Sequence, residues 1–304
     1  MQGLITLTLI LTPMFVGFIL PKNQTLVRLS EKSLNLIVFA LLIIIGIELG
    51  LVDDLQKQVG NIAKYLISLL ILTIGLGSVA LMIFDRLSKT QRRLRANTPK
   101  PTSKPSMTGS LAQLGCLAVG FLLANILPSE FLPPKQATTA LLMLLLFVVG
   151  ISLKGSGVSL RDAMLNKQGV KISLIFMLAT LLGGVIFAGI FTEVSLTKGL
   201  ALASGFGWYS LSGPIMTDNY GAIWGSVALL NDLIREIIAL IFIPVMMRFS
   251  SSSAIGLGGV TSLDFTLPTI LSAGGTHIMP TVISFGFITN VVSPVLMVFF
   301  SSFG

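Results

Sequence analysis

Charge is scarce in this chain. Only 11% of its 304 residues are Asp, Glu, Lys or Arg, against about a quarter in soluble domains. Mean hydropathy is +0.93, so the sequence reads as a polytopic membrane protein and not as a water-soluble globule. Cysteine and histidine are each reduced to one residue. Cys116, alone in an apolar stretch, excludes a disulfide framework or a thiolate metal site. His277, also alone, removes most zinc and histidine-base chemistry. A nucleophile elbow and a zinc motif are missing too, which argues against an intramembrane enzyme, and no cofactor is expected. No basic residue precedes Lys22 and no small-residue cleavage site follows the first apolar run. That run therefore reads as a transmembrane helix and not as a signal peptide.

What charge there is clusters. Arg86, Lys89, Arg92, Arg93, Arg95, Lys100 and Lys104 crowd one polar linker with Pro99, Pro101 and Pro105. Such a run can bind nucleic acid or anionic lipid. A cytoplasmic loop obeying the positive-inside rule explains it more simply, so no nucleic-acid partner is expected. Apolar stretches near bilayer length fall at 3–20, 33–51, 61–84, 109–127, 137–153, 170–192, 222–247 and 278–302, which makes eight spans. Basic residues follow span one (Lys22, Arg28, Lys32), span three (the linker), span five (Lys154, Arg161, Lys167, Lys171) and span seven (Arg248). All four loops share one side if both termini are periplasmic. Asp53 and Asp54 then fall in a loop on the opposite face, as solvated acids.

The chain repeats itself. Val16-Gly17-Phe18 matches Val119-Gly120-Phe121, Gly46-Ile47-Glu48-Leu49 matches Gly150-Ile151-Ser152-Leu153, and Gly60 and Gly75 find counterparts in Gly169 and Gly184. An odd number of spans per copy forces opposite orientations, an inverted-topology repeat. The organisation predicted is a first three-helix repeat over 1–85, the basic linker over 86–108, a second repeat over 109–193 and a transport core over 194–304. Within that core, Tyr209-Ser210-Leu211-Ser212 before Pro214 echoes Thr261-Ser262-Leu263-Asp264 before Pro268. Both lie in Gly-rich, Pro-broken segments, about 196–220 and 252–275. Opened backbone cannot face lipid, so each segment must be buried against protein or water. Read as re-entrant hairpins, one enters from each face and the tips meet near the midplane; read as full crossings, the spans become ten.

On a helical wheel Asn231, Asp232, Arg235 and Glu236 fall within about 140° of one another. One face of span seven is thus polar near mid-membrane. Arg235 can neutralise one neighbouring acid, with Asp232 the expected partner. Glu236 is then the first choice for the second acid of this face. Burial disfavours its charged form, so it can exchange a proton or a cationic substrate. The alternative is an ion cluster that only locks helices together. Asp264, with Thr261, Ser262 and Thr266 beside it, suits a desolvated ammonium or proton; the same acid also serves as an N-cap for a half-helix starting near Phe265. Tyr209, Ser210 and Ser212 would line the opposing tip, and a half-helix beyond Pro214 would attract an anion. Trp208 reads as a packing or interfacial aromatic, Asp218 and Asn219 as an exit turn, and Glu48 as an interfacial charge or outer-mouth site.

At 204–213, at Asn231-Asp232 with Arg235-Glu236, and at 261–268, the chain resembles the LysO family of bacterial lysine exporters. The resemblance runs over nearly the whole chain. It implies an inner-membrane protein that exports L-lysine and the analogue thialysine, in exchange for protons, with the family's important membrane acids at Glu236 and Asp264. It also implies kinship with the cation:proton antiporter and anion transporter fold. Glu48 departs from the family pattern. A physical constraint points the same way: expelling a lysine cation against an inside-negative potential costs about 2.3 kcal/mol per 100 mV, which one inward proton cancels. Sodium coupling, or sodium/proton exchange on the same fold, is the alternative.

Overall fold

The computed structural model describes residues 12–21, 23–51, 55–88, 108–128, 132–134, 136–155, 166–263 and 265–303. Asp53, Asp54, Asp264 and most of the basic linker therefore lie outside the described residues, as does the side chain of Glu48. Among the described residues all regular structure is helical: α1 (12–19), α2 (Gln24–Gly50), α3 (Leu55–Leu87), α4 (Thr108–Ile126), α5 (Gln136–Gly155), α6 (Lys167–Ile190), α7 (Leu196–Ala203), α8 (Tyr209–Tyr220), α9 (Ala222–Phe249), α10 (Ser251–Gly258), α11 (Leu267–Gly274) and α12 (Met279–Ser302). Short 3-10 turns at Gly259–Leu263 and Thr276–Ile278 flank α11.

The outer faces of these helices are apolar. Ile67 and Ile71 on α3, Leu174 and Leu178 on α6, and Ile241 and Phe242 on α9 are about half to two-thirds exposed. Rows of exposed aliphatic side chains on long helices fit a lipid surface and not water. This is a helical membrane protein. Among the described residues, Gly60–Leu87, Lys167–Ile190 and Met279–Ser302 are long and apolar enough to cross a bilayer by length and composition alone. The central turns of α9 carry Asp232, Arg235 and Glu236, which makes that helix too charged to qualify on composition. Several helices outrun their apolar runs. For α2 the expected start was residue 33, but Asn23 caps the helix by accepting the Thr25 amide at 2.9 Å, so Arg28 and Lys32 lie inside it and not in a loop.

Glycines set the closest helix approaches. A Cβ at Gly17 of α1 would stand 2.3 Å from the Phe147 carbonyl oxygen of α5, and one at Gly150 of α5 would stand 2.1 Å from that of Met14 on α1. The α2–α4 pair has the same reciprocal form: Gly46 faces the Leu117 carbonyl oxygen and Gly120 the Ile43 carbonyl oxygen, at 2.2 and 2.0 Å. The other glycine matches read from sequence do not share a packing role. Gly60 and Gly75 meet open space, whereas Gly169 packs on Ser284 and Gly184 on Gly199.

The C-terminal part contains two broken hairpins, α7–α8 and α10–α11. The two ends of each lie near one another. Glu193, just before α7, and Tyr220, at the end of α8, line one cavity, and Gly274 at the end of α11 packs on Met247, one turn before α10. The hairpins start at opposite ends of α3. Glu193 accepts a hydrogen bond from Tyr65, whereas Ser250 donates one to Asp85, twenty residues or about 30 Å further along α3. Details of both hairpins differ from expectation. Pro214 lies inside α8, which begins at Tyr209 and not beyond the proline. Asp218 and Asn219 belong to the last turn of α8, where Asn219 donates to the Ile215 carbonyl at 2.8 Å; the exit turn is Gly221, at φ +87°. In the second hairpin α11 begins at Leu267 with Thr266 in the N-cap position, and the Thr266 amide donates to the Thr261 carbonyl at 2.9 Å.

Candidate functional site

The two chain breaks meet. After α7 the backbone turns through Phe206 (φ +52°) and Gly207 (φ +94°), and after α10 through Gly259 (φ +56°). The Val260 amide donates to the Phe206 carbonyl at 3.0 Å, so one break rests on the other. A Cβ at Gly259 would stand 2.0 Å from that same carbonyl oxygen; only glycine gives both the positive φ and the close approach.

Breaking two helices here strands backbone groups that must find partners away from water. Two helices supply them. On α12, the Ser293 hydroxyl donates to the carbonyls of Ser204 and Gly205 at 2.8 and 3.2 Å, and the Asn290 amide donates to the Val260 carbonyl at 3.0 Å. On α9, Asp232 and Arg235 do the same with charge. Asp232 Oδ1 accepts the Gly207 amide at 3.2 Å and the Asn231 side-chain amide at 3.0 Å. Arg235 Nη2 donates to the Gly256 carbonyl at 2.9 Å, and its guanidinium lies 5.1 Å from the Phe176 ring centroid. The acid thus faces the break that opens α8 and the base faces the C-terminal end of α10. Both placements match the partial charges of helix ends.

Of the residues singled out from sequence, Asn231, Asp232 and Arg235 gather at this crossing, each no more than 3% exposed. Ser212 joins them, since both its Cβ and Asp232 Oδ2 crowd Gly205. Glu236 is equally buried on α9. Thr261 is buried with its hydroxyl donating to the Gly258 carbonyl at 2.8 Å, and Thr266 is buried beside it. Ser262 Oγ is buried without a protein partner near Gly286. Asn231 Oδ1 and Arg235 Nε are also buried and unpartnered, so the crossing retains unused acceptor and donor capacity. Ser210 is buried in the first turn of α8. Tyr209 instead sets its ring on the cluster of Ile45, Leu229, Leu233 and Phe287. Trp208 packs against three apolar clusters, in keeping with its reading as a packing aromatic.

Asn290 and Ser293 escaped sequence reasoning, although Thr289, Asn290 and Ser293 mark one polar stripe in an apolar span. Asp85 escaped it too. Its carboxylate accepts the Ser250 hydroxyl at 2.5 Å, the Ser252 amide at 3.0 Å and the Ser252 hydroxyl at 2.6 Å, which anchors the start of α10 to the end of α3. The run Ser250-Ser251-Ser252-Ser253 was the available signal: four hydroxyls at a helix start invite an acid from elsewhere.

A family model described as lysine exporter LysO matches residues 114–301. The chain belongs to the LysO family. It is 35% identical over 297 residues to the lysine exporter LysO of Escherichia coli (strain K12), an alignment that covers 97% of this chain and 99% of the relative. A relative in Haemophilus influenzae, whose name also refers to a lysine exporter, is 45% identical over 190 residues, covering 62% of this chain and 97% of that protein. No solved structure matches. The family resemblance read from 204–213, 231–236 and 261–268 is thereby established, and these relatives are named as exporters and not as enzymes.

Proposed function

We propose that this protein is a secondary transporter of the bacterial inner membrane that exports L-lysine, and its analogue thialysine, in exchange for inward protons. The observation that carries the reading is the crossing of the two broken hairpins against Asn231, Asp232 and Arg235. Discontinuous helices that meet inside the membrane are where transporters bind charged substrates, because freed helix ends supply dipoles and unused donors and acceptors. The named function of the family's relatives supports lysine as the substrate.

In this reading eight helices cross the membrane, both termini are periplasmic, and the hairpins α7–α8 and α10–α11 are re-entrant from opposite faces. The reciprocal glycine contacts support an inverted repeat. Exchanging Gly17 with Gly120 and Gly46 with Gly150 turns the α1–α5 contact into the α4–α2 contact. The side chains of Ser210, Ser212, Thr261 and Ser262 and the ring of Tyr209 shape the substrate path. Glu236 and Asp264 bind the ammonium groups of lysine and protons in turn, and mutually exclusive occupancy couples the two fluxes. Asp232 and Arg235 hold the two breaks in register.

Lysine flux in proteoliposomes under an imposed pH gradient tests this, with wild type compared with Glu236→Gln. Proton-driven accumulation that is lost in the variant is the expected result. Flux that follows a sodium gradient and ignores pH would replace the coupling ion, and absence of lysine flux would overturn the substrate.

A further inference from the structure

At the end of hairpin α7–α8 remote from the crossing lies a second polar site. A cavity of about 360 Å³ is lined there by Asn61, Tyr65, Glu193, Tyr220 and Trp224. Its carboxylate is fixed as an acceptor: the Tyr65 phenol donates to Glu193 Oε1, and the Thr192 hydroxyl donates to Oε2 at 3.2 Å. Tyr65 in turn stacks on Trp224 with ring centroids 4.9 Å apart. The phenol's hydrogen bond holds the Glu193 carboxyl below the usual carboxylate range, so the group is anionic at neutral pH.

A cation already stands on two of the rings that line this cavity. The ammonium of Lys198 lies 5.0 Å from the Tyr220 ring centroid and 4.8 Å from that of Trp224, and it donates to the Glu193 backbone oxygen at 3.5 Å. Lys64 occupies a neighbouring ring, Phe191, at 5.0 Å, outside the Tyr220–Trp224 pair. Two aromatic faces and the Glu193 backbone oxygen surround the Lys198 ammonium, and the Glu193 carboxylate lines the cavity that those two rings share. Aromatic faces with a carboxylate near them form the arrangement that recognises organic ammonium ions. The group held there by the protein is a primary ammonium on a four-carbon stem, chemically the side chain of free lysine.

We propose that this pocket is a second ligand site, separate from the crossing, for the side-chain ammonium of a lysine-like molecule, and that Lys198 is its tethered occupant, displaced when the ligand binds. The proposal rests on the lysine-export reading for the identity of the ligand and for placing the pocket on the outward face. A tethered group competes at an effective concentration on the order of millimolar, so the site fills only when external lysine is abundant. Lys198 sits in α7, whose eight residues, about 12 Å of helix, lead directly into the break at Ser204–Gly207. Occupancy of the pocket therefore acts on the helix that carries one half of the crossing.

The test labels the protein with 5-fluorotryptophan and follows the 19F resonance of Trp224 during titration with L-lysine, in full-length protein in nanodiscs. The chain has two tryptophans, so Trp224→Phe assigns the signal. Lys198→Met removes the internal competitor and should tighten the L-lysine response at Trp224 at least about tenfold relative to wild type. Adding Glu193→Gln should abolish that response, whereas adding Asp232→Asn should leave it in place. Lys198→Gln serves the same purpose if the methionine variant does not fold. A helical, monodisperse Lys198→Met protein whose Trp224 resonance ignores L-lysine overturns the proposal, as does a response that Asp232→Asn removes. Lysine flux in proteoliposomes without a Trp224 response sinks this site alone. A Trp224 response to both L-lysine and n-butylammonium, without lysine flux, sinks the export reading and leaves an alkylammonium site.

Discussion

The crossing of the two breaks makes a quantitative demand on one atom. At Gly259 φ is +56° and ψ −134°, a region open essentially to glycine alone that costs another residue roughly 1–3 kcal/mol. A Cβ there would also stand 2.0 Å from the Phe206 carbonyl oxygen, the acceptor for the Val260 amide. Relieving that clash separates donor from acceptor inside the protein, and a buried unpaired backbone group costs about 1–3 kcal/mol. Gly259→Ala should therefore destabilise by roughly 2–6 kcal/mol, or about 3–12 °C in thermal midpoint for a chain of this length. Gly75→Ala is the matched control. It lies within α3, nothing stands within 4 Å of the added methyl, and alanine gains up to about 1 kcal/mol of helix propensity. Thermal unfolding of both purified variants in detergent, followed by tryptophan fluorescence, reads the difference, and lysine flux in proteoliposomes reads its consequence. Equal midpoints for Gly259→Ala and wild type would refute the claim that the two breaks rest on each other through this contact.

Arg235→Met strands the Gly256 carbonyl and leaves Asp232 without its nearest cation on α9, so stability should fall by about 3–5 kcal/mol; adding Asp232→Asn should recover part of that loss, and additive melting losses would show that the two charges act independently. Ser293→Ala uncovers the carbonyls of Ser204 and Gly205 and should lower the thermal midpoint by the equivalent of about 1–3 kcal/mol, with no loss if other partners replace the hydroxyl. The folded-state titration of Glu193 lies below the ordinary carboxylate range through its Tyr65 hydrogen bond. Its contribution is therefore fully present above the unfolded carboxyl pKa of about 4.3 and disappears as pH falls through the lowered folded value. Tyr65→Phe should flatten the acid limb of a plot of melting temperature against pH, and an unchanged limb would count against that hydrogen bond.

How much of this was legible in the sequence follows from where the signal resides. Broken segments at 196–220 and 252–275 were readable because Gly and Pro within apolar sequence have few other uses. The polar face of α9 was readable because Asn231, Asp232, Arg235 and Glu236 share one side of a 3.6-residue period. What those residues touch was not readable. Helical spacing made Arg235 the natural partner of Asp232, yet their hydrogen bonds run to the Gly256 carbonyl and the Gly207 amide, two backbone sites remote in sequence. A wheel places side chains around one helix and says nothing about a neighbour's broken backbone. The same blindness hid Asn290, Ser293 and Asp85, whose partners lie 30, 89 and 165 residues away. Small polar residues in a span read as filler until a stranded carbonyl is placed opposite them. Backbone bookkeeping offers a sharper rule for chains of this kind. Every glycine or proline break within an apolar run releases several donors and acceptors, and lipid can satisfy none of them. Each break therefore predicts polar residues at helical spacing on some other span. The stripe Thr289, Asn290 and Ser293, and the acid Asp85 facing the Ser250–Ser253 run, are what that rule would have sought out.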